Sequence, residues 1–240
     1  MTLSNENLSF VELACECPES DLPILRELIS YDALCPTCCN LVRHQGRVIM
    51  SIEPSPLHWS RQIEWPWIVR QGSFKKSDRV LDVGCGWSVL KFAIAKRAGQ
   101  VYCIDHDQDS VNKATATVNL INAENIVVLK SDASAITFGD NTFNQVVCCS
   151  VLEHMKANQE QAINEMVRVL KPGGTLLLTF DLVIFGTRPD DFYIDIPKAN
   201  QIFQQLQVGL TSGVCNSALF DIKDDSCRIV VAMIKYTKPC

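Results

Sequence analysis

The chain has no apolar run that approaches the roughly 18 residues a membrane-spanning helix needs, which excludes a helical span. Its opening residues, MTLSNENLSF, contain no basic stretch followed by an apolar one, so they do not read as a secretory leader. Basic runs are missing too: none is longer than Lys75-Lys76, and 22 basic against 27 acidic residues leave a formal charge of −5 and a pI near 5.4. Most nucleic-acid affinity comes from a basic footprint, so this balance disfavours DNA or RNA and favours a small molecule as partner. Internal repeats and low-complexity tracts are also lacking, which removes repeat architectures.

What is present is ordinary for a folded protein, with 47% apolar and 20% charged residues. The 240 residues suffice for one large domain, or for one of about 150 residues with an extension. Twelve cysteines could suggest disulfides, yet Cys103 lies in VYCID and Cys148 and Cys149 in VVCCS, where free cysteine acts as a small hydrophobe. Reduced thiols and a cytoplasmic setting are the expectation.

From about Asp78 onward, short apolar, β-branched runs alternate with segments of helical spacing, the pattern of βαβ units and a parallel sheet. The predicted strands are Arg79–Val83, Gln100–Asp105, Ile126–Lys130, Asn144–Cys149 and Gly174–Phe180, and the predicted helices Val89–Ala98, Gln108–Leu120, Gln159–Leu170 and Pro197–Gln207. Two final runs, Val214–Ile222 and Cys227–Tyr236, are too close for a crossover helix and must form an antiparallel hairpin. The expected architecture is a three-layer α/β sandwich over residues 76–240, with a doubly wound, mostly parallel seven-stranded sheet.

Residues 1–75 differ in character and are expected to form a cap or lid. A helix is predicted over Leu22–Ile29 and another, in part, over Ile63–Gln71. Cys15, Cys17, Cys35, Cys38, Cys39 and His44 could supply a tetrahedral zinc site, but Cys-x-Cys is not the usual first knuckle, so structural thiols and no metal are expected. Trp59, Trp65 and Trp67, with Phe185, Phe192 and Tyr193, could either line an acceptor pocket or pack a helix against the sheet.

The strongest chemical feature is VLDVGCGWS, Val80–Ser88, an apolar strand ending in a glycine turn that opens a helix. Glycines let a backbone pass close to a ligand, and a helix N-terminus presents unpaired N–H groups. About 20 residues on, Asp105 ends the next strand, where an acidic side chain can accept bonds from ribose hydroxyls. Lys130-Ser131-Asp132-Ala133 and Cys149-Ser150-Val151-Leu152-Glu153-His154 follow later strands, and in a doubly wound sheet these ends converge on one crevice.

In order and spacing, VLDVGCG, VYCIDHD, LKSDASAI, NTFNQVVCCSVLEHM and VLKPGGTLLLT resemble the successive motifs of class I S-adenosylmethionine-dependent methyltransferases, from Arg79 to Asp181. That resemblance implies a last strand inserted antiparallel. It implies that Asp82, Gly84 and Gly86 hold the methionine end of the cofactor, with Cys85 and Trp87 as backbone or wall. Asp105 would take the ribose hydroxyls, His106 would lie beside the adenine, Asp132 and Ala133 would meet its edge, and Ser150 would sit next to the methyl. The departure is Ser88, where many members have glycine.

The expected activity is methyl transfer to an oxygen, nitrogen or carbon of a small molecule. His154 is the candidate proton acceptor, since imidazole titrates near neutrality, although a packing role is the plainer reading. A nicotinamide-dependent oxidoreductase shares the glycine turn and the ribose acid, but the third glycine position is Val89. A non-catalytic, methyltransferase-like binding protein is the other alternative.

Overall fold

The computed structural model describes residues 10–14, 23–24, 26–28, 59–186, 194–206 and 227–240. Its strands are β1 (Phe10–Ala14), β2 (Arg79–Val83), β3 (Gln100–Asp105), β4 (Ile126–Lys130), β5 (Phe143–Cys149), β6 (Leu170–Gly186), β7 (Ile194–Asp195) and β8 (Cys227–Thr237). Its helices are α1 (Trp59–Gly72), α2 (Leu90–Ala95), α3 (Gln108–Ile121), α4 (Gln159–Val169) and α5 (Ile196–Ile202), and residues 23–24 and 26–28 are also helical.

Seven strands form one path, β1-β8-β6-β5-β2-β3-β4, with the two-residue β7 attached to β6. β2 pairs in parallel with β3 and β5, β3 with β4, and β5 with β6, whereas β8 runs antiparallel to both β6 and β1. The antiparallel last strand agrees with the sequence reading. Its expected hairpin partner, 214–222, lies outside the described residues, and over Val231–Lys235 its outer edge is taken by β1.

Alternation along the strands builds two cores. Val80, Val147, Leu177 and Val231 face one core, shared with α1 and α2, while Leu81, Val146, Leu178 and Val230 face the other, shared with α4 and α5. Central strands covered on both faces read as near-continuous apolar runs, and this one sheet between two helical layers is the three-layer sandwich. α4 buries Ala162, Ile163, Met166 and Val169 along one stripe. α3 starts at Asp107, whose side chain accepts from Ser110 N, and stops at Asn122 in the left-handed region (φ 55°).

Several predicted boundaries move, most of all in three elements. The strand expected over Gly174–Phe180 begins at Leu170, because Leu170 pairs with Phe143 and the Pro-Gly-Gly stretch is absorbed as a register shift, and it reaches Gly186 through its pairing with β8. The helix expected over Val89–Ala98 is regular only over Leu90–Ala95 and then tightens into turns, with Arg97 N and Ala98 N both donating to Ile94 O. The helix expected over Pro197–Gln207 is capped by Asp195 and gives way to a 3-10 turn, Gln204–Leu206.

The described part of residues 1–75 is built into the main body. Trp65 and Trp67 are 6% and 1% exposed and belong to the α1–α2 core, which favours the packing reading for those two. The side chains of Trp59 and Phe185, and all of Phe192 and Tyr193, lie outside the described residues. Among the described residues no helix is long and apolar enough to cross a membrane.

Phe143 is fully buried and meets Tyr102 and Phe138 edge-on, with centroids 5.7 and 4.9 Å away. Replacing Phe143 with Ala should lower stability by about 3–5 kcal/mol, seen as a lower urea midpoint at unchanged slope.

Candidate functional site

β2 delivers the chain into the turn Gly84-Cys85-Gly86, and the two glycines serve different ends. Gly84 has φ +66°, and a Cβ there would lie 2.4 Å from Val151 Cγ2, so close packing against the β5 end demands glycine. Gly86 has φ +47°, and a Cβ there would meet nothing within 4 Å: the space it faces is open. Cys85 N donates to Ile104 O at 3.0 Å, which pins the turn to β3.

Asp105, 8% exposed, fixes the geometry further. Its Oδ2 accepts from Gly86 N and its Oδ1 from Asp107 N, both at 2.9 Å, and its carbonyl accepts from Ser131 N at 2.9 Å. One carboxylate therefore holds the glycine turn, the start of α3 and, through its backbone, the chain after β4. His106 projects outward with its side chain 83% exposed and Nδ1 3.5 Å from Asp105 Oδ1. Asp132 accepts from Ser134 N and Oγ at 2.7 and 2.8 Å, and these bonds hold its carboxyl below the usual range. Ala133 is half-buried beside it, and the Trp87 ring lies 4.6 Å from Lys113 Nζ.

Asp82 is almost fully buried, and its Oδ2 finds no hydrogen-bond partner among the described residues. Burial pushes its carboxyl up to about 7; the charge of Lys91 opposes the rise and that of Asp105 adds to it. Lys91 is itself buried and donates to Ser88 O.

At the end of β5, Ser150 takes a left-handed conformation (φ 49°), with its N–H donating to Thr179 O at 2.9 Å. Its hydroxyl donates to Glu64 Oε1 at 2.5 Å, and Thr179 Oγ1 donates to the same oxygen at 2.7 Å. Arg61 Nη1 closes the group by bonding both Glu64 Oε2 and Ser150 Oγ. Burial raises the Glu64 carboxyl, but the Arg61 charge and the bonds from Ser150 and Thr179 outweigh it and leave the group below its ordinary range. Sequence reasoning missed Arg61 and Glu64. Their signal was a lone acid within the apolar stretch IEWPWIV, three residues after an arginine, since a carboxylate in such a place needs partners.

Glu153 is 3% exposed, and burial, then the charges of Asp181 and Glu64, push its carboxyl well above its ordinary range. Its Oε1 accepts from Asp181 N at 3.3 Å, and its Oε2 has no partner among the described residues. His154 lies exposed on the 3-10 turn Leu152–His154, and partial burial of its ring and the charge of Arg61 hold its pKa below the usual value. At neutral pH it is a neutral imidazole. Among the described residues no group of three or more metal-ligating side chains occurs, and Cys15, Cys17, Cys35, Cys38, Cys39 and His44 lie outside them.

Comparison with known proteins bears on the same segment. The family described as "Methyltransferase domain" matches residues 81–178. That match covers less than half of the chain. A ubiquinone/menaquinone biosynthesis C-methyltransferase, UbiE, of Neisseria meningitidis is 38% identical over 117 residues, 46% of this chain and 45% of that protein. An uncharacterized protein of Haemophilus influenzae is 32% identical over 136 residues, 55% of this chain and 54% of its own length. The chain thus spans about half the length of the curated relatives it matches. Among solved structures, phosphoethanolamine N-methyltransferase 2 of Haemonchus contortus with S-adenosyl-L-methionine has a TM-score of 0.58 at 18% identity, covering 72% of this chain and 51% of that one. The YcgJ protein of Bacillus subtilis has a TM-score of 0.54 at 15% identity, covering 74% and 98%.

The Asp82 carboxyl gives a pH signature. Its folded value near 7 exceeds the ordinary 3.8, so its contribution to stability is complete below 3.8 and is lost as pH rises toward 7. Asp82→Asn has no proton to lose, so its stability relative to the parent should climb between those limits and level off above them. A urea-unfolding series across pH checks this; a gap that stays constant with pH would contradict it.

Proposed function

We propose that this chain transfers the methyl group of S-adenosylmethionine to an oxygen, nitrogen or carbon of a small-molecule acceptor in the cytoplasm, where its buried thiols stay reduced. The observation that carries the reading is the cradle at the ends of β2 and β3. Gly86 faces open space where a side chain would intrude, and the Asp105 carboxylate beside it is already oriented by two backbone N–H groups. Each carboxylate oxygen keeps acceptor capacity beyond the single backbone bond it takes, which suits a pair of ribose hydroxyls. The unpartnered Asp82 oxygen under the turn suits a hydrogen-bond donor at the amino-acid end of the cofactor. His106, Asp132 and Ala133 then border the adenine side, while Cys85, Trp87 and Ser150 border the methionine side.

When bound, the cofactor supplies an electrophilic methyl group on a positively charged sulfur. The residues around it would align the acceptor atom, the methyl carbon and the sulfur. Alignment of the three atoms can supply much of the acceleration, so the protein's part is to orient and exclude water. Where the acceptor must lose a proton, the neutral imidazole of His154 is the candidate to take it. The acidic net charge and the lack of a basic stripe support a small acceptor over nucleic acid.

Calorimetric titration with S-adenosylhomocysteine, with NADH in parallel, tests the reading. Only the first should bind, and Asp105→Ala should weaken that binding by roughly 10- to 100-fold, the loss of charge-assisted bonds to two hydroxyls. Binding of NADH alone would transfer the glycine turn to nicotinamide chemistry, and unchanged affinity in Asp105→Ala would remove the ribose assignment.

A further inference from the structure

The donor-site residues read from the sequence include three acids, Asp82, Asp105 and Asp132, but no lysine or arginine to meet the carboxylate at the amino-acid end of the cofactor. Lys91 is the nearest basic group from that stretch, yet it is 1% exposed beneath the turn, bonded to Ser88 O and balanced against Asp82. A cation does reach this end of the crevice, from a helix outside the matched segment. Building on the S-adenosylmethionine reading above, we propose that Arg61 is the residue that binds the cofactor's carboxylate.

The first argument is place. Val83 of β2 lies opposite Cys148 of β5, so the residues that follow, Gly84-Cys85 and Cys149-Ser150, run side by side, and Val151 packs against Gly84. Arg61 Nη1 bonds the hydroxyl of Ser150, which sets the guanidinium beside the glycine turn. The second argument is the edge that is left. All the described hydrogen bonds of Arg61 use Nη1: to Glu64, to Ser150 and, at 3.5 Å, to Ser60 Oγ. Among the described residues, Nη2 and Nε make none. Those two nitrogens form one side of a planar fork whose parallel N–H groups match the two oxygens of a carboxylate.

The third argument is the asymmetry of the pair. The Glu64 side chain is 0% exposed and that of Arg61 is 27% exposed, so the acid sits behind and the base in front. Glu64 is itself held by Ser150 and Thr179, so the guanidinium rests on a fixed support. Its other charged neighbour is the acid Asp181, which does not compete as an anion-binding group.

The test compares two ligands by calorimetry. S-adenosylhomocysteine carries the amino-acid end, and methylthioadenosine keeps the adenosine and the sulfur but lacks it. Arg61→Lys retains a positive charge for Glu64 while losing the fork, and Arg61→Ala loses both. Affinity for S-adenosylhomocysteine should fall roughly 10-fold in the first and up to about 100-fold in the second, while that for methylthioadenosine stays within about twofold in both. A parallel fall for both ligands would mark Arg61 as a structural support only, and no fall for either would remove it from the site; each overturns the proposal. Should Arg61→Ala fail to fold, the lysine variant decides alone. If the parent protein binds neither ligand, the donor-site reading fails first and takes this assignment with it.

Discussion

A carboxylate removed from water must be surrounded by donors or lose its charge. Glu64 satisfies that requirement with three groups from three parts of the chain: Arg61 of α1 itself, Ser150 at the end of β5 and Thr179 in β6. Because each partner is also anchored, the bonds fix more than a side chain. They seat α1 over the carboxyl end of β5 and the middle of β6, next to the glycine turn, while Ile63, Trp65, Trp67, Ile68 and Val69 bury the rest of the helix in the core. Without that seat the crevice would have one wall fewer.

The same corner of the molecule gathers more acid than it can ionise. Asp82, Glu64, Glu153 and Asp181 all lie near the ends of the central strands, and the structure resolves their repulsion in different ways. Glu64 keeps its charge by pairing. Burial and the acids around it push Glu153 well above its ordinary range, and burial pushes Asp82 up to about 7. Desolvation sets the direction for the last two, and a specific cation reverses it for the first. A ligand that brings its own positive charge and hydrogen-bond donors fits such a place better than an anion would, save where Arg61 offers its open edge.

How much of this could be read from the residues alone follows from the range of the interactions concerned. The strands Arg79–Val83 and Gln100–Asp105 begin and end where apolar run and turn chemistry put them, because central parallel strands are defined by local composition, and the edge strand Ile126–Lys130 also keeps its predicted bounds. The Gly84–Gly86 turn and Asp105 were legible for the same reason: their spacing is local to one βαβ unit. Boundaries failed where a distant partner decided them, as when pairing with Phe143 and with β8 drew β6 out to Leu170 and Gly186 at its two ends. Strand β1 went unread because its only described partner is more than two hundred residues away in sequence. Arg61 and Glu64 were passed over on similar grounds, since nothing near them in sequence announces Ser150 or Thr179.

Buried ion pairs are a weak source of stability, and a well-packed apolar pair in place of Arg61 and Glu64 would serve the fold as well or better. What such a pair supplies instead is direction: a guanidinium whose plane, depth and open edge are set before any ligand arrives. The proposed methyl transfer would reward that kind of preparation, since alignment of the reacting atoms can supply much of its acceleration. The polar groups at the strand ends follow the same logic, with Asp105 clamped by two amides and Ser150 by Thr179 and Glu64. The chain has placed its costly buried polar contacts where position matters most, and left the wide apolar faces of the sheet to hold the fold.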